Sequence, residues 1–378
     1  MSKRKTKIAD FAPVISGGTP SRGVSAYFEG EIPWVKTLDL NFSSVTSTEE
    51  RITADALSSI RGIVNPIGTV MVAMYGGAGT IGKTGVLGIP AATNQAVASI
   101  LPNSEYFDSN FLHFQLMQLR SEWMSYSQGN RKDPNINKSV VENMLVWLPD
   151  LTTQRRIAAR LKSRMAEVEK ARVALAVQLF ETDNLADAIV FDSIRKSGTK
   201  SYSLGDVLEE VKRGIGDDWF DFPVWGATRT GLAPAKEPPG KNPQRYKPAF
   251  PGTVFYNPMR ILIGSIAFVD DDDEPGITSP DYVVLTGKQG MVDSRWFYFW
   301  LRSSLGKQCI NSLARGAVRE RMLFNRLAEG EIILPSHKSQ QRASNALAEL
   351  RPLRKGIEKE MNEISLMPTI ILSRAFEM

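Results

Sequence analysis

Only one cysteine, Cys309, and two histidines, His113 and His337, occur in 378 residues. A lone thiol excludes an internal disulfide framework and suits a reducing cytosol, so a cytoplasmic protein is expected. Two distant histidines without a cysteine cluster offer no zinc site. They also leave no Ser/His/Asp or Cys/His set for nucleophilic catalysis. Long apolar runs are missing as well: residues 69–75 and 261–269 fall far short of the roughly 20 residues a membrane span needs. The basic start Met1-Ser-Lys-Arg-Lys-Thr-Lys runs into Ile8-Ala-Asp-Phe, with no apolar signal segment after it. Charge of one sign is scarce too. The net charge of +5 and pI near 9.1 hint at an anionic partner, but residues 1–150 carry 13 basic and 13 acidic groups. Residues 151–200 hold 10 and 6, residues 201–335 hold 16 and 17, and residues 336–378 hold 7 and 5. The excess lies in two segments with helical patterning, so any basic surface on the other segments must come from local clustering.

What is present is a repeat. Leu148-Pro-Asp-Leu-Thr-Thr-Gln-Arg-Arg-Ile-Ala matches Leu334-Pro-Ser-His-Lys-Ser-Gln-Gln-Arg-Ala-Ser at an offset of 186. Gly68-Thr-Val-Met-Val matches Gly252-Thr-Val-Phe-Tyr at 184, Gly129-Asn-Arg stands opposite Gly316-Ala-Val-Arg, and Ile8-Ala-Asp-Phe and Leu204-Gly-Asp-Val open the two halves. Each half begins with short apolar stretches punctuated by glycine and proline, the pattern of strands and turns: 34–38, 70–75 and 86–89, then 253–256, 261–269 and 282–285. An amphipathic stretch follows, 110–125 or 294–313, and Leu-Pro then stops the pattern before a long helix.

In the first long segment Ala158, Leu161, Met165, Val168, Arg172, Leu175, Leu179, Thr182, Ala186 and Ile189 alternate at spacings of three and four, a heptad seam. The second segment offers Leu347, Leu350, Ile357, Met361 and Ile364, with Pro352 and Gly356 predicting a kink or short break. Each seam is too narrow to be buried by its own helix. Packing of the two helices on each other, parallel or antiparallel, satisfies both; separate docking of each on its own domain is the alternative. The expected class is a mixed α/β (α+β) fold: a domain at 1–150, a central helix at 151–200, a second domain at 201–335 and a C-terminal helix at 336–378.

Three motifs imitate enzymes. Gly77-Ala-Gly-Thr-Ile-Gly-Lys-Thr84 satisfies both the phosphate-loop and the dinucleotide patterns, but each requires a helix directly after the glycines. The continuation Gly85-Val-Leu-Gly-Ile-Pro90 predicts a β-hairpin instead. Tyr256-Asn-Pro-Met-Arg260 differs from the Asn-Pro-Pro-aromatic motif of amino-methyltransferases at the two positions that hold a flipped base. Asp270-Asp-Asp-Asp-Glu274 reads as a solvated turn. No catalytic constellation emerges.

The ordered set of motifs resembles the specificity subunit of type I restriction–modification systems. The residues that carry the resemblance are Ser16-Gly-Gly-Thr-Pro-Ser21, Ile32-Pro-Trp-Val-Lys-Thr-Leu-Asp-Leu40, Gly68-Thr-Val-Met-Val, Ile81-Gly-Lys83 and Thr93-Asn-Gln95. The Leu-Pro-x-x-x-x-Gln repeat and the terminal Ile371-Leu-Ser-Arg-Ala-Phe376 complete the set. The second half departs from it, lacking Gly-Gly-Thr-Pro and Pro-Trp and showing Thr278-Ser-Pro-Asp281 in place of Thr93-Asn-Gln95. The resemblance implies two target-recognition domains, each reading half of a split DNA site, on helices that set the gap and dock two methylation subunits. S-adenosylmethionine, ATP and Mg are implied on partner subunits, with none bound by this chain, and a restriction/translocase subunit joins for cleavage. One added heptad would lengthen such a spacer by about 10 Å, roughly three base pairs of rise. Three rivals remain: the specificity subunit of a type II enzyme cutting both sides of its site, a nucleotide-binding enzyme using Gly77 to Thr84, and a DNA-independent scaffold.

For DNA contact, long polar groups in glycine-rich loops are the candidates. In the first domain these are Arg22, Lys36, Lys83, Asn94, Gln95, Asn130, Arg131 and Lys132. In the second they are Arg229, Lys241, Gln244, Arg245, Lys247, Asn257, Arg260, Arg315, Arg319 and Arg321. The seam residues Leu161, Val168, Leu175, Leu179, Leu350, Ile357, Met361 and Ile364 are the candidates for helix–helix packing. Thr19, Pro20, Trp34 and Asn94 also admit structural roles, as turn, core aromatic and loop hydrogen bond.

Overall fold

In the computed structural model, which describes residues 5–76, 79–123, 125, 135–196, 200–314 and 321–376, the chain divides into two units. One comprises residues 1–173 with 362–378, the other residues 174–361. The long helices, Leu151–Arg195 and His337–Phe376, are therefore not separate domains, because each contributes to both units.

The repeat extends to the strand registers. In the first unit a five-stranded sheet runs in the order Val14–Ser16, Val97–Ile100, Val70–Ala73, Thr84–Leu87, Ser43–Val45. In the second, Leu208–Glu210, Val283–Gly287, Val254–Tyr256 and Ile266–Phe268 repeat its first four places. Val70 faces Ile100 as Val254 faces Leu285, and Val14 faces Ile100 as Glu210 faces Leu285. A second, smaller sheet also recurs. Ile32–Val35 runs parallel to Ala92–Thr93 and antiparallel to Glu50–Ile52. Val224–Thr228 runs parallel to Gly276–Thr278 and antiparallel to Gly231–Pro234. Two-stranded ribbons, Lys5–Lys7 with Leu145–Trp147 and Lys200–Ser203 with Glu331–Leu334, join the ends of each domain. Sheets that are largely antiparallel, with helices set apart from them, define an α+β arrangement.

Register corrects one sequence reading. Val35 pairs with Thr93 as Trp225 pairs with Thr278. Pro33-Trp34-Val35 therefore aligns with Pro223-Val224-Trp225: the proline recurs, and the tryptophan and valine exchange places. The 261–269 stretch is likewise not one strand. Ile261–Ile263 forms a 3-10 turn that Gly264 ends at φ 84°, and only Ile266–Phe268 is extended. The 294–313 stretch divides into helices Ser294–Arg302 and Ser304–Leu313, because the Ser303 hydroxyl caps the second.

The Leu-Pro-x-x-x-x-Gln repeat proves to be a clamp. Gln154 is fully buried; its Oε1 accepts from Asp108 N (2.9 Å), and its amide donates to the carbonyls of Tyr106 (3.0 Å) and Pro149 (2.7 Å). Gln340 repeats this on Asp293 N (2.9 Å), Met291 (2.9 Å) and Pro335 (3.0 Å). Asp108 and Asp293 are themselves the N-caps of Ser109–Gln118 and Ser294–Arg302. One glutamine thus satisfies three backbone groups and ties the start of a long helix to the start of a short one.

The start of the central helix shares a core with the end of the terminal helix in the first unit: Ile157, Ala158 and Leu161 with Ile371, Leu372, Ala375 and Phe376. In the second unit the end of the central helix meets the start of the terminal one, Ala186 and Val190 with Ala343 and Leu347. That is the antiparallel arrangement. Of the seam residues, Leu161, Leu175 and Ile357 are buried, while Val168, Leu179, Leu350, Met361 and Ile364 are half-buried. Arg172 turns outward to Glu169 (2.7 Å).

The terminal helix shows no break at Pro352 or Gly356. Both are exposed, so the helix carries them on its solvent side. Leu350, Arg351, Arg354 and Ile357 hold the other side. The acidic run is a turn with Asp271, Asp272 and Glu274 exposed, but it is not solvated throughout. Asp270 is 8% exposed and meets Arg295 and Arg351, and Asp273 also pairs with Arg351. In the first unit the places of Arg295 and Arg351 are taken by Asn110 and Met165, and the corresponding packing is apolar.

His113, buried in Ser109–Gln118, is the other polar group of note in the cores. Burial pushes its imidazole down to about 4, against the hydrogen bond to the Thr84 backbone that raises it. Below pH 6.5 the unfolded chain takes up a proton that the folded chain refuses. Stability is therefore lost between pH 6.5 and about 4, by about 3 kcal/mol in total. His113→Leu should remove that part of the acid sensitivity. Thermal melts of both proteins over this range check it, and parallel pH profiles would refute it.

Candidate nucleic-acid interface

In the first unit the scattered signature residues assemble into one cluster. Gly18 N donates to Thr93 O (3.1 Å) and the Trp34 indole donates to Gly18 O (3.2 Å). Gly17 lies so close to the neighbouring strand that a Cβ there would sit 1.7 Å from Thr93 O, so glycine is required by proximity. Trp34 is 1% exposed, in a core with Ile52, Ala56 and Ala92. The Thr19 hydroxyl donates to Gln95 Oε1, and Gln95 also bonds the Tyr75 hydroxyl, whose pKa burial raises. Asn94 closes its own turn, with Oδ1 accepting from Ala96 N (3.1 Å). The Gly-Gly-Thr, Pro-Trp and Thr-Asn-Gln pieces are therefore parts of one scaffold, from which Gln95 projects exposed.

The basic candidates of this unit are largely neutralised. Glu50 receives Arg22 (2.7 Å) and Lys36 (2.6 Å), and Lys36 also meets Glu49 (2.8 Å). The hydrogen bond from Arg22, with help from Lys36, holds the Glu50 carboxyl below its usual value against the opposing effect of burial. Burial would lower the Lys36 pKa, but its two carboxylate partners outweigh that and raise it. Arg22 further stacks over Phe28, 4.3 Å from the ring centre. Lys83 is half-buried beside the strand Thr84–Leu87. That strand pairs antiparallel with Val70–Ala73, so a strand follows the glycines where nucleotide-binding loops need a helix N-terminus. Asn130, Arg131 and Lys132 lie outside the described residues.

Sequence reading missed Arg120. Its guanidinium donates to Gly79 O (2.7 Å) and stacks 4.8 Å from the Phe42 ring, whose own φ is 60°. Arg120 thus braces the glycine hairpin. Forty-one residues separate Arg120 from Gly79, and no local pattern announces the contact.

In the second unit the candidates fall into separate groups. Lys241, Gln244 and Arg245 are exposed on one loop, while Lys247 is half-buried and donates to Tyr282 O (2.7 Å). Burial lowers the Lys247 pKa. Asn257 caps its own turn by accepting from Met259 N (3.0 Å). Arg260 is exposed on that turn, and Met322 N bonds Pro258 O (3.1 Å), which brings Arg321 alongside; Arg321 faces Asp281 at 3.6 Å. Arg229 is exposed in the hairpin turn, its carbonyl held by Arg302 (2.6 Å). Arg315 and Arg319 lie outside the described residues. A cavity of about 420 Å³ opens beside Tyr298, Phe268, Arg351 and Arg354, but these two arginines already pair with Asp183, Asp270, Asp273 and Glu358. Among the described residues no group of His, Cys, Asp or Glu could hold a metal ion, and no helix is long and apolar enough to cross a membrane.

Comparison with known proteins agrees with this geometry. Residues 3–175 match the family model of the type I restriction modification DNA specificity domain. The specificity subunit of the MjaIX type I restriction enzyme of Methanocaldococcus jannaschii is 25% identical over 158 residues. That match covers 41% of this chain and spans 36% of the relative's length. Among solved structures, the type I S subunit from M. genitalium is similar over 99% of this chain and 96% of its own, with a TM-score of 0.51 and 14% identity. A chain from a study of complex assembly and conformational transition in the type I system aligns over 99% and 97%, with a TM-score of 0.65 and 17% identity. At such identities the structures speak for the fold, and the sequence match speaks for the first domain. Residues 3–175 thus match the type I restriction–modification DNA specificity domain, and the chain that carries them has the fold of the type I S subunits over 99% of its length.

Proposed function

We propose that this chain is the non-catalytic DNA reader of a type I complex, and that each unit reads one half of a split target. The observation that carries this reading is the duplicated recognition domain, repeated down to strand register and helix clamp. A duplicated reader on continuous helices fits two half-sites at a set spacing, much as symmetric dimers fit palindromes. The helices would also dock two methylation subunits, which supply S-adenosylmethionine, while ATP and Mg act on the restriction/translocase subunit. This chain's own work is then to bind and orient, through phosphate contacts that position and base contacts that specify.

Exchange of residues 201–335 for those of another family member tests the division. Modified bases mapped in a host carrying the exchanged gene and its partners should change in one half of the target alone. Change in both halves would overturn the two-reader assignment.

A further inference from the structure

We infer that segments 212–221 and 236–247 of the second unit form its DNA-contact surface. Phe220 lies against bases there, and Arg213, Lys241 and Arg245 lie against phosphates. This rests on the DNA-reading function proposed above and adds which surface of the second unit performs it.

The two units share one scaffold, so a connection they use differently marks where their binding roles diverge. The relevant connection leads from the first large-sheet strand to the smaller sheet. In the first unit its aromatics, Tyr27 and Phe28, pack on the core of Trp34, Ile52, Ala56 and Ala92, with Phe28 6.0 Å from the Trp34 ring. In the second unit the same connection carries Trp219 and Phe220, which belong to no core cluster and meet each other edge-on at 6.2 Å. Phe220 is 69% exposed. A phenyl ring so placed contributes little to folding.

The charges diverge in the same way. Arg22, Lys36 and Arg51 of the first unit all end on carboxylates. Arg213, Lys241 and Arg245 are exposed and make no ion pair among the described residues. The two segments that carry them interlock. Ile215 N donates to Tyr246 O (2.7 Å), the Tyr246 hydroxyl accepts from Gly240 N (3.0 Å), and a Cβ on Gly214 would meet Gln244 O at 2.4 Å and Arg245 Cα at 2.9 Å. Arg213 and Arg245 therefore stand beside one another, next to the turn Gly216–Asp221 that bears the ring. That turn also displays Asp217, Asp218 and Asp221, which phosphates repel, so the turn is not itself a phosphate holder. Cations flanking an apolar tip match a duplex, in which phosphates flank stacked bases. They do not match a uniformly anionic surface.

The test uses the full chain assembled with its methylation partner. Its probes are a duplex of about 30 base pairs bearing the sequence mapped as modified, and a scrambled duplex of equal length. Phe220→Ala should weaken binding to the mapped duplex roughly tenfold or more without changing the slope of log affinity against log salt. Phe220→Trp should restore it. Arg245→Ala should lower the salt slope by about one on both duplexes. Phe220→Ala binding within twofold of the wild type would overturn the assignment. So would a loss of methylation-partner assembly with DNA affinity per complex unchanged, since the ring would then be a protein contact. Failure of the wild type to distinguish the two duplexes would refute DNA reading itself, and an unchanged melting point of the variant excludes unfolding.

Discussion

Gly17→Ala is expected to unseat the signature loop of the first unit and to lower that unit's stability by about 3 kcal/mol or more. The added methyl would fall 1.7 Å from the Thr93 carbonyl oxygen. That contact is backbone on backbone, so no side-chain rotation relieves it. Either the 17–19 segment leaves the strand Ala92–Thr93, or that strand leaves Ile32–Val35. In both cases the hydrogen bond from Gly18 to Thr93 is lost, and the indole bond from Trp34 to Gly18 loses its anchor. The effect should stay within one unit. Limited proteolysis should cut the first unit early and spare the second, and in the modified-base map one half of the target should lose its definition. A variant that resists protease and modifies the wild-type sequence would show that the loop can shift at little cost.

Asp270→Ala should do the converse. The carboxylate is 8% exposed and receives both Arg295 and Arg351, whose side chains are 14% and 24% exposed. Burial alone would raise the Asp270 pKa, but its arginine partners outweigh burial and hold the carboxyl below its ordinary value. Removing it leaves Arg295 with only the exposed Asp271 and Arg351 with only Asp273 in a half-dry site, a loss of about 2 kcal/mol at neutral pH. The folded pKa lies below the unfolded one, so the native contribution is present above the ordinary carboxylate pKa and disappears as pH falls through the folded value. The variant should therefore be destabilised at pH 7 and converge on the wild type in acid. Denaturant melts at both pH values decide this, and an equal deficit at both would indicate lost packing without lost charge pairing. Because Arg351 stands on the terminal helix, the loss should also loosen the second recognition domain on its helix.

The repeat and the two helices were legible because they are written in local currency. Leu-Pro, the glutamine six residues after the leucine and the spacing of three and four are visible in any short window, and the structure gives each a mechanical reason. Gln154 and Gln340 are the clearest case, since the sequence marks them as a repeat and the fold shows them as clamps. Pro352 misled for the opposite reason. A helix propensity counts the lost hydrogen bond but not the paired and packed residues that hold the opposite face.

Charge was the least legible property. Arg22, Lys36 and Asp270 look like free surface groups in sequence, yet each meets partners brought by another part of the chain. By itself the sequence determined the duplicated architecture, the helix extents to within a few residues and the resemblance of the first domain to a known one, all of which rest on order and spacing. Only the tertiary structure decided which cations remain unpaired, why glycine is required at position 17, and that Pro223-Val-Trp225 stands where Pro33-Trp-Val35 stands. Pairing, close approach and register are set by residues far apart in the chain, and no local pattern encodes them.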